Sequence, residues 1–66
     1  MSPAPTDLLG RPLSALEQQL LASYDGLLAL LGQDLPPSVA ANVREAVAAL
    51  WQVVNDLALP RPRPDV

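Results

Sequence analysis

Apolar side chains recur along this chain in two long stretches, each with the period of a helix. In the first, Leu13, Leu16, Leu20, Tyr24, Leu27, Leu30 and Leu31 share one side, flanked by Leu21 and Leu28. At about 100° per residue they cover roughly 140°, wider than the seam of a coiled coil. In the second, Val39, Val43, Ala46, Val47, Leu50, Val53, Val54 and Leu57 share a face, with Trp51 on its edge. Five of the six valines lie in this stretch, but at helical spacing, so the period outweighs their preference for strands.

Local signals set the boundaries. Ser14-Ala15-Leu16-Glu17 fits a capping box, in which Ser accepts from an early backbone N–H and Glu reaches back. The first helix is therefore expected over about 13–31, with Gly32 as a left-handed stop. A turn over 32–36 follows, and the second helix runs over about 37–58, with proline in its first turn. It ends there because Leu59 precedes Pro60 and is biased away from helix. Residues 1–12 form an extended arm, within which Thr6-Asp7-Leu8-Leu9 suits one helical turn capped by Thr6. Leu8 and Leu9 would then lie over an end of the core. Residues 60–66 form a flexible proline-rich tail.

The expected fold is all-α, a helical hairpin over 13–59. A connection of about five residues favours antiparallel packing. Each helix carries more apolar surface than one neighbour covers, so the hairpin is expected to assemble as a homodimeric four-helix bundle. The oligomer core would comprise Leu16, Leu20, Tyr24, Leu27, Leu31, Val43, Val47, Leu50, Val54 and Leu57. The chain has 66 residues, a size at which a lone core stabilises a fold only marginally. Disulfides are excluded by the absence of cysteine, which leaves association as the remaining support.

Composition narrows the chemistry. There is no His, Cys or Lys, so the usual proton shuttles and covalent nucleophiles are missing. No phosphate loop, nucleophile elbow or paired catalytic carboxylates occur, and an autonomous enzyme is not expected. No cofactor is expected, and no metal, since the scattered carboxylates make no Glu-x-x-His pattern or acidic loop. Positive charge comes from four arginines, for a net charge of −3, which argues against nucleic acid and anionic membranes as partners. The longest uninterrupted apolar run, Leu27–Leu31, is far too short to span a bilayer, and the N-terminus has no leader pattern. A cytoplasmic location is the expectation.

Two groups of residues invite a functional reading. Arg44, Trp51 and Asn55 form a line on one flank of the second helix, with Ala48 as a recess between them. Arg and Trp are frequent interface anchors, so this line is the candidate protein-interaction patch; otherwise it is simply a core border. Tyr24, with Glu17 two turns earlier, would suit a proton donor beside a carboxylate. The plainer account gives Glu17 to the cap and buries the Tyr24 ring. Small residues at Ala15, Ala22, Gly26, Ala29, Ala41 and Ala48 would permit close approach of another helix, but alanine also fills exposed helix positions by propensity alone. Pro60-Arg61-Pro62-Arg63 suits either an extended peptide with basic handles or a solubilising end.

The expected function is that of a small non-catalytic accessory or adaptor protein acting through helix-mediated association, with itself and with a larger protein. The alternative is a minimal bundle that binds, or acts on, a small apolar molecule in an interhelical cavity near Tyr24 and Trp51.

Overall fold

Ser14 opens the first helix through both halves of the capping box. Its Oγ accepts from the Glu17 N–H at 3.1 Å, and the Glu17 carboxylate accepts from the Ser14 N–H at 2.9 Å. In the computed structural model, which describes residues 5–65, helix α1 runs Ala15–Leu31 and α2 runs Pro37–Asp56. Met1–Ala4 of the expected arm and Val66 of the tail lie outside the described residues. The beginning of α1 lies beside the end of α2, where Glu17 and Asp56 line a common cleft, so the hairpin is antiparallel. The core consists of Leu13, Leu21, Tyr24, Val47, Val54 and Leu59, with Leu20, Leu27, Leu28, Leu31, Val43, Leu50 and Trp51 packed against it.

Both helix ends depart from expectation. Gly32 has φ −81°, an ordinary right-handed value, and its N–H bonds back to Ala29 at 3.1 Å. The last turn of α1 tightens instead of reversing hand, so nothing in the backbone requires glycine there. The left-handed residue lies at the end of α2: Ala58, with φ 54°. Leu59 N–H bonds to Val54 C=O at 2.9 Å and Ala58 N–H to Asn55 C=O at 3.1 Å, the two bonds of a Schellman motif. The helix therefore stops at Asp56 rather than Ala58, and Leu59 is folded under it into the core.

The arm also differs. No helical turn forms at Thr6–Leu9. Residues 5–13 make a tight loop closed by a Thr6–Pro12 bridge, with Gly10 at φ 83°. Asp7 is its hub, buried despite its charge: one carboxylate oxygen accepts from the N–H groups of Leu9 and Arg11, each at 2.9 Å. The other accepts from Arg11 Nε at 2.9 Å. A buried carboxylate needs such partners, and satisfying them competes successfully with a one-turn helix. Leu8 N–H ties the loop to Ala58 C=O at 2.8 Å, but the side chains of Leu8 and Leu9 face outward instead of covering the core.

Residues 60–65 have no regular secondary structure, as expected, yet they do not hang free. Arg61 holds Asp25 of α1 in a fork, Nε at 2.8 Å and a terminal nitrogen at 2.6 Å. The Arg63 guanidinium lies over the Trp51 ring, 5.9 Å from its centroid. The two arginines of this proline-rich segment thus find a carboxylate and an indole face within reach, and the segment crosses both helices as a strap.

Candidate interaction surface

Tyr24, Val47 and Val54 mark the line along which the helices meet, each with no accessible surface. At 100° per residue, Leu16, Leu20, Leu27 and Leu30 fall to one side of Tyr24, while Leu21, Asp25 and Leu28 fall to the other. On α2, Val39, Ala46, Leu50, Val53 and Leu57 fall to one side of Val47 and Val54, and Arg44, Ala48 and Trp51 to the other. Turning an antiparallel partner to face α1 brings flanks of the same angular sense onto the same side of the hairpin. The tail is an independent check, because it touches Asp25 and Trp51 together.

The two sides have different fates. One is strapped by the tail. The other is bare and apolar: Leu16 is 65 % exposed, and Leu30, Val39, Val53 and Leu57 are between 37 and 43 % exposed. Between them lie the half-buried Leu20, Leu27, Val43 and Leu50. Covering the exposed fractions alone is worth on the order of 4 kcal/mol per chain, at the usual value of about 2 kcal/mol for a fully buried aliphatic side chain. Charged residues are absent from these positions.

The residues expected in an oligomer core divide accordingly. Tyr24, Val47 and Val54 are used up inside the single chain, whereas Leu20, Leu27, Leu31, Val43 and Leu50 are half-buried. Leu16 and Leu57 are exposed. Leu30, Val39 and Val53 complete the bare side, and the sequence stripe contained them without separating them from the inner seam. The expected interaction line lies on the opposite, strapped side. Its Arg44 and Asn55 are exposed, and Trp51 is half-buried beneath Arg63. The recess beside Ala48 is a cleft of about 170 Å³ lined by Ala48, Trp51, Gln52, Arg63 and Pro64.

The chemistry around Tyr24 is that of a packed core. Burial pushes the Tyr24 phenol above its ordinary value, the neighbouring Asp25 carboxylate adds to this, and Arg61 offsets part of it. Neither the Tyr24 hydroxyl nor Trp51 Nε1, both buried, has a hydrogen-bond partner among the described residues. A larger cleft of about 420 Å³ lies at the far end of the hairpin, lined by residues that include Asp7, Arg11, Glu17 and Asp56. Neither cleft is lined by Tyr24. Glu17 is held by the cap, which gives its carboxylate a structural role. Among the described residues no three metal-ligating side chains gather at one place, and no helix is long and apolar enough to cross a membrane.

Small residues on the outer faces are exposed, and a side chain added at Gly26 would meet nothing within 4 Å. Among the described residues nothing crowds Gly26, whereas Ala48 lines the recess that Arg63 and Pro64 reach. The chain matches no family model, and comparisons with curated proteins and with solved structures bring up no similar one.

Proposed function

We propose that this chain is a small non-catalytic accessory protein that works through helix-mediated association, and that its bare apolar side pairs with a second copy in a homodimeric four-helix bundle. One observation carries the reading: the exposed large aliphatic side chains of both helices lie on a single side, while the opposite side is crossed by the chain's own tail. A twofold axis through the bare side would set Leu16, Leu20, Leu27 and Leu30 against Val39, Leu50, Val53 and Leu57 of the other copy, or each set against itself, and both arrangements bury the same surface. The exposed apolar surface of two copies, on the order of 8 kcal/mol together, is comparable with the association cost of about 4–15 kcal/mol, so the expected dimer is weak and concentration-dependent. A larger protein presenting a complementary helical face would use the same surface.

Sedimentation equilibrium over a wide concentration range tests this. The expected result is a species of twice the 7.0 kDa chain mass that dissociates on dilution. Val53→Glu and Leu16→Glu should each return the monomer with the helices retained. A 7.0 kDa particle at every concentration, fully helical and melting independently of concentration, overturns the proposal.

A further inference from the structure

The strapped side has a binding chemistry of its own, separate from the bare one. We propose that Asp25, Ala48, Trp51 and Gln52 form a recognition site for an extended proline-and-arginine-rich peptide of another protein, and that the tail Pro60–Pro64 is a resident occupant which such a peptide displaces.

The contacts of the tail describe the ligand. Prolines at 60, 62 and 64 alternate with arginines at 61 and 63, a composition that stays extended and loses little entropy on docking. The Arg61 fork on Asp25 is the geometry by which a carboxylate selects arginine over lysine. Arg63 over the Trp51 face adds a cation–π contact, and Pro64 reaches the cleft beside Ala48 and Gln52. One short segment thereby bridges both helices. Charge favours the same ligand: residues 1–59 carry six carboxylates against two arginines, so the body is acidic and the tail basic.

The tail is also an imperfect fit. Trp51 Nε1 is buried with no acceptor among the described residues, and part of the cleft that Trp51 lines stays open. A peptide that brought a carbonyl oxygen to this donor would gain a hydrogen bond the tail lacks. The buried core ends at Leu59, so releasing the tail is expected to leave the fold intact. The tether holds the tail at an effective concentration on the order of millimolar, so a weak free peptide is excluded until the tail's grip is loosened.

The test uses the full-length chain carrying Arg61→Ala and Arg63→Ala, with helical ellipticity as the folding control. It is titrated with a synthetic peptide of the sequence Leu59–Val66, read by Trp51 fluorescence and by amide shifts at Asp25 and Ala48. The expected result is binding at least about tenfold tighter than to the unaltered chain, where the tethered tail competes. A peptide with both arginines replaced by alanine should not bind. As a second arm, full-length Asp25→Arg should reject the native peptide and accept one with Asp at the position of Arg61. No binding to the folded double variant, equal binding to both chains, or equal binding of the arginine-free peptide overturns the proposal. So does Trp51 emission in the unaltered chain that changes with dilution, which would assign the site to a second copy's tail. Val53→Glu leaves this assay unchanged, so it fails or succeeds independently of dimerisation.

Discussion

Leu59 donates its backbone N–H to the carbonyl of Val54 at 2.9 Å, and both side chains are buried in one core cluster. The chain achieves this by holding Ala58 at φ 54°, where an L residue with a Cβ is disfavoured by about 1–2 kcal/mol. Ala58→Gly relieves that strain at some cost in unfolded-state entropy, and is expected to stabilise the fold by about 1 kcal/mol. The melting midpoint should rise by roughly 4–8 °C at matched protein concentration. Leu59→Ala should cost about 2–4 kcal/mol, because it empties the space beneath the helix end. Circular dichroism melts of the two variants check both directions, and a destabilised Ala58→Gly chain would contradict this cap.

The two glycines at turns should respond oppositely to alanine. Gly10 sits at φ 83°, so Gly10→Ala forces a Cβ into the left-handed region and should destabilise the loop by about 1 kcal/mol or more. Gly32 is right-handed, and a Cβ there would meet only the Ala29 carbonyl oxygen at 3.4 Å. Gly32→Ala should be neutral or add up to about 1 kcal/mol by restricting the unfolded chain. Urea titrations of the pair give the comparison directly, and equal losses in both would show that Gly32 is needed for its hand after all.

Acid should loosen both ends of the structure. The Arg11 backbone N–H, joined by that of Leu9 and by the Arg11 side chain, holds the Asp7 carboxyl below its usual 3.8 against the opposing effect of burial. The Arg61 fork does the same for Asp25. A carboxyl whose folded value lies below its unfolded one stabilises fully above the unfolded value, and that contribution disappears as pH falls through the folded value. Stability owed to these two groups should be level from neutral pH to about 5 and decline below about 4. Asp7→Asn should lower stability at pH 7 and flatten the acid limb. Asp25→Asn should do so by less than about 1 kcal/mol, since its carboxylate is 48 % exposed and screened by salt. Denaturation series at stepped pH would expose an error if both variants kept the full acid decline.

Tyr24 buries a hydroxyl that has no hydrogen-bond partner among the described residues. Tyr24→Phe deletes this group with little change of shape, and should leave stability unchanged or raise it by about 1–2 kcal/mol. The raised phenol also has a consequence at high pH. A group whose folded value exceeds its unfolded value of 10.0 contributes stability that is lost as pH rises beyond 10, so the native chain should weaken there and the Phe variant should not. A large loss on Tyr24→Phe at neutral pH would point to a bound polar ligand at the hydroxyl.

The helices were legible because their signals are local. Ser14 and Glu17 lie three positions apart and cap each other; proline at 36 and 37 admits only a helix start; the apolar period extends over several turns. The fate of Asp7 was not legible, since its preference for accepting from Leu9 and Arg11 is won only when the loop packs against the end of α2. A single faint cue existed in Leu59, an apolar residue just past the helix end, where Schellman motifs place a hydrophobic contact.

What the sequence by itself determined is the pair of helices, their antiparallel order and the excess of apolar surface, because each follows from neighbours a few residues apart or from the reach of a short turn. Only the tertiary structure decided which part of that surface stays bare. The apolar stripe of each helix is wider than the seam it shares with its neighbour; packing of the helices picks out the seam, and the return of the tail distinguishes one flank from the other. That return rests on contacts across 36 positions, Arg61 to Asp25, and no local pattern encodes a meeting between residues so far apart.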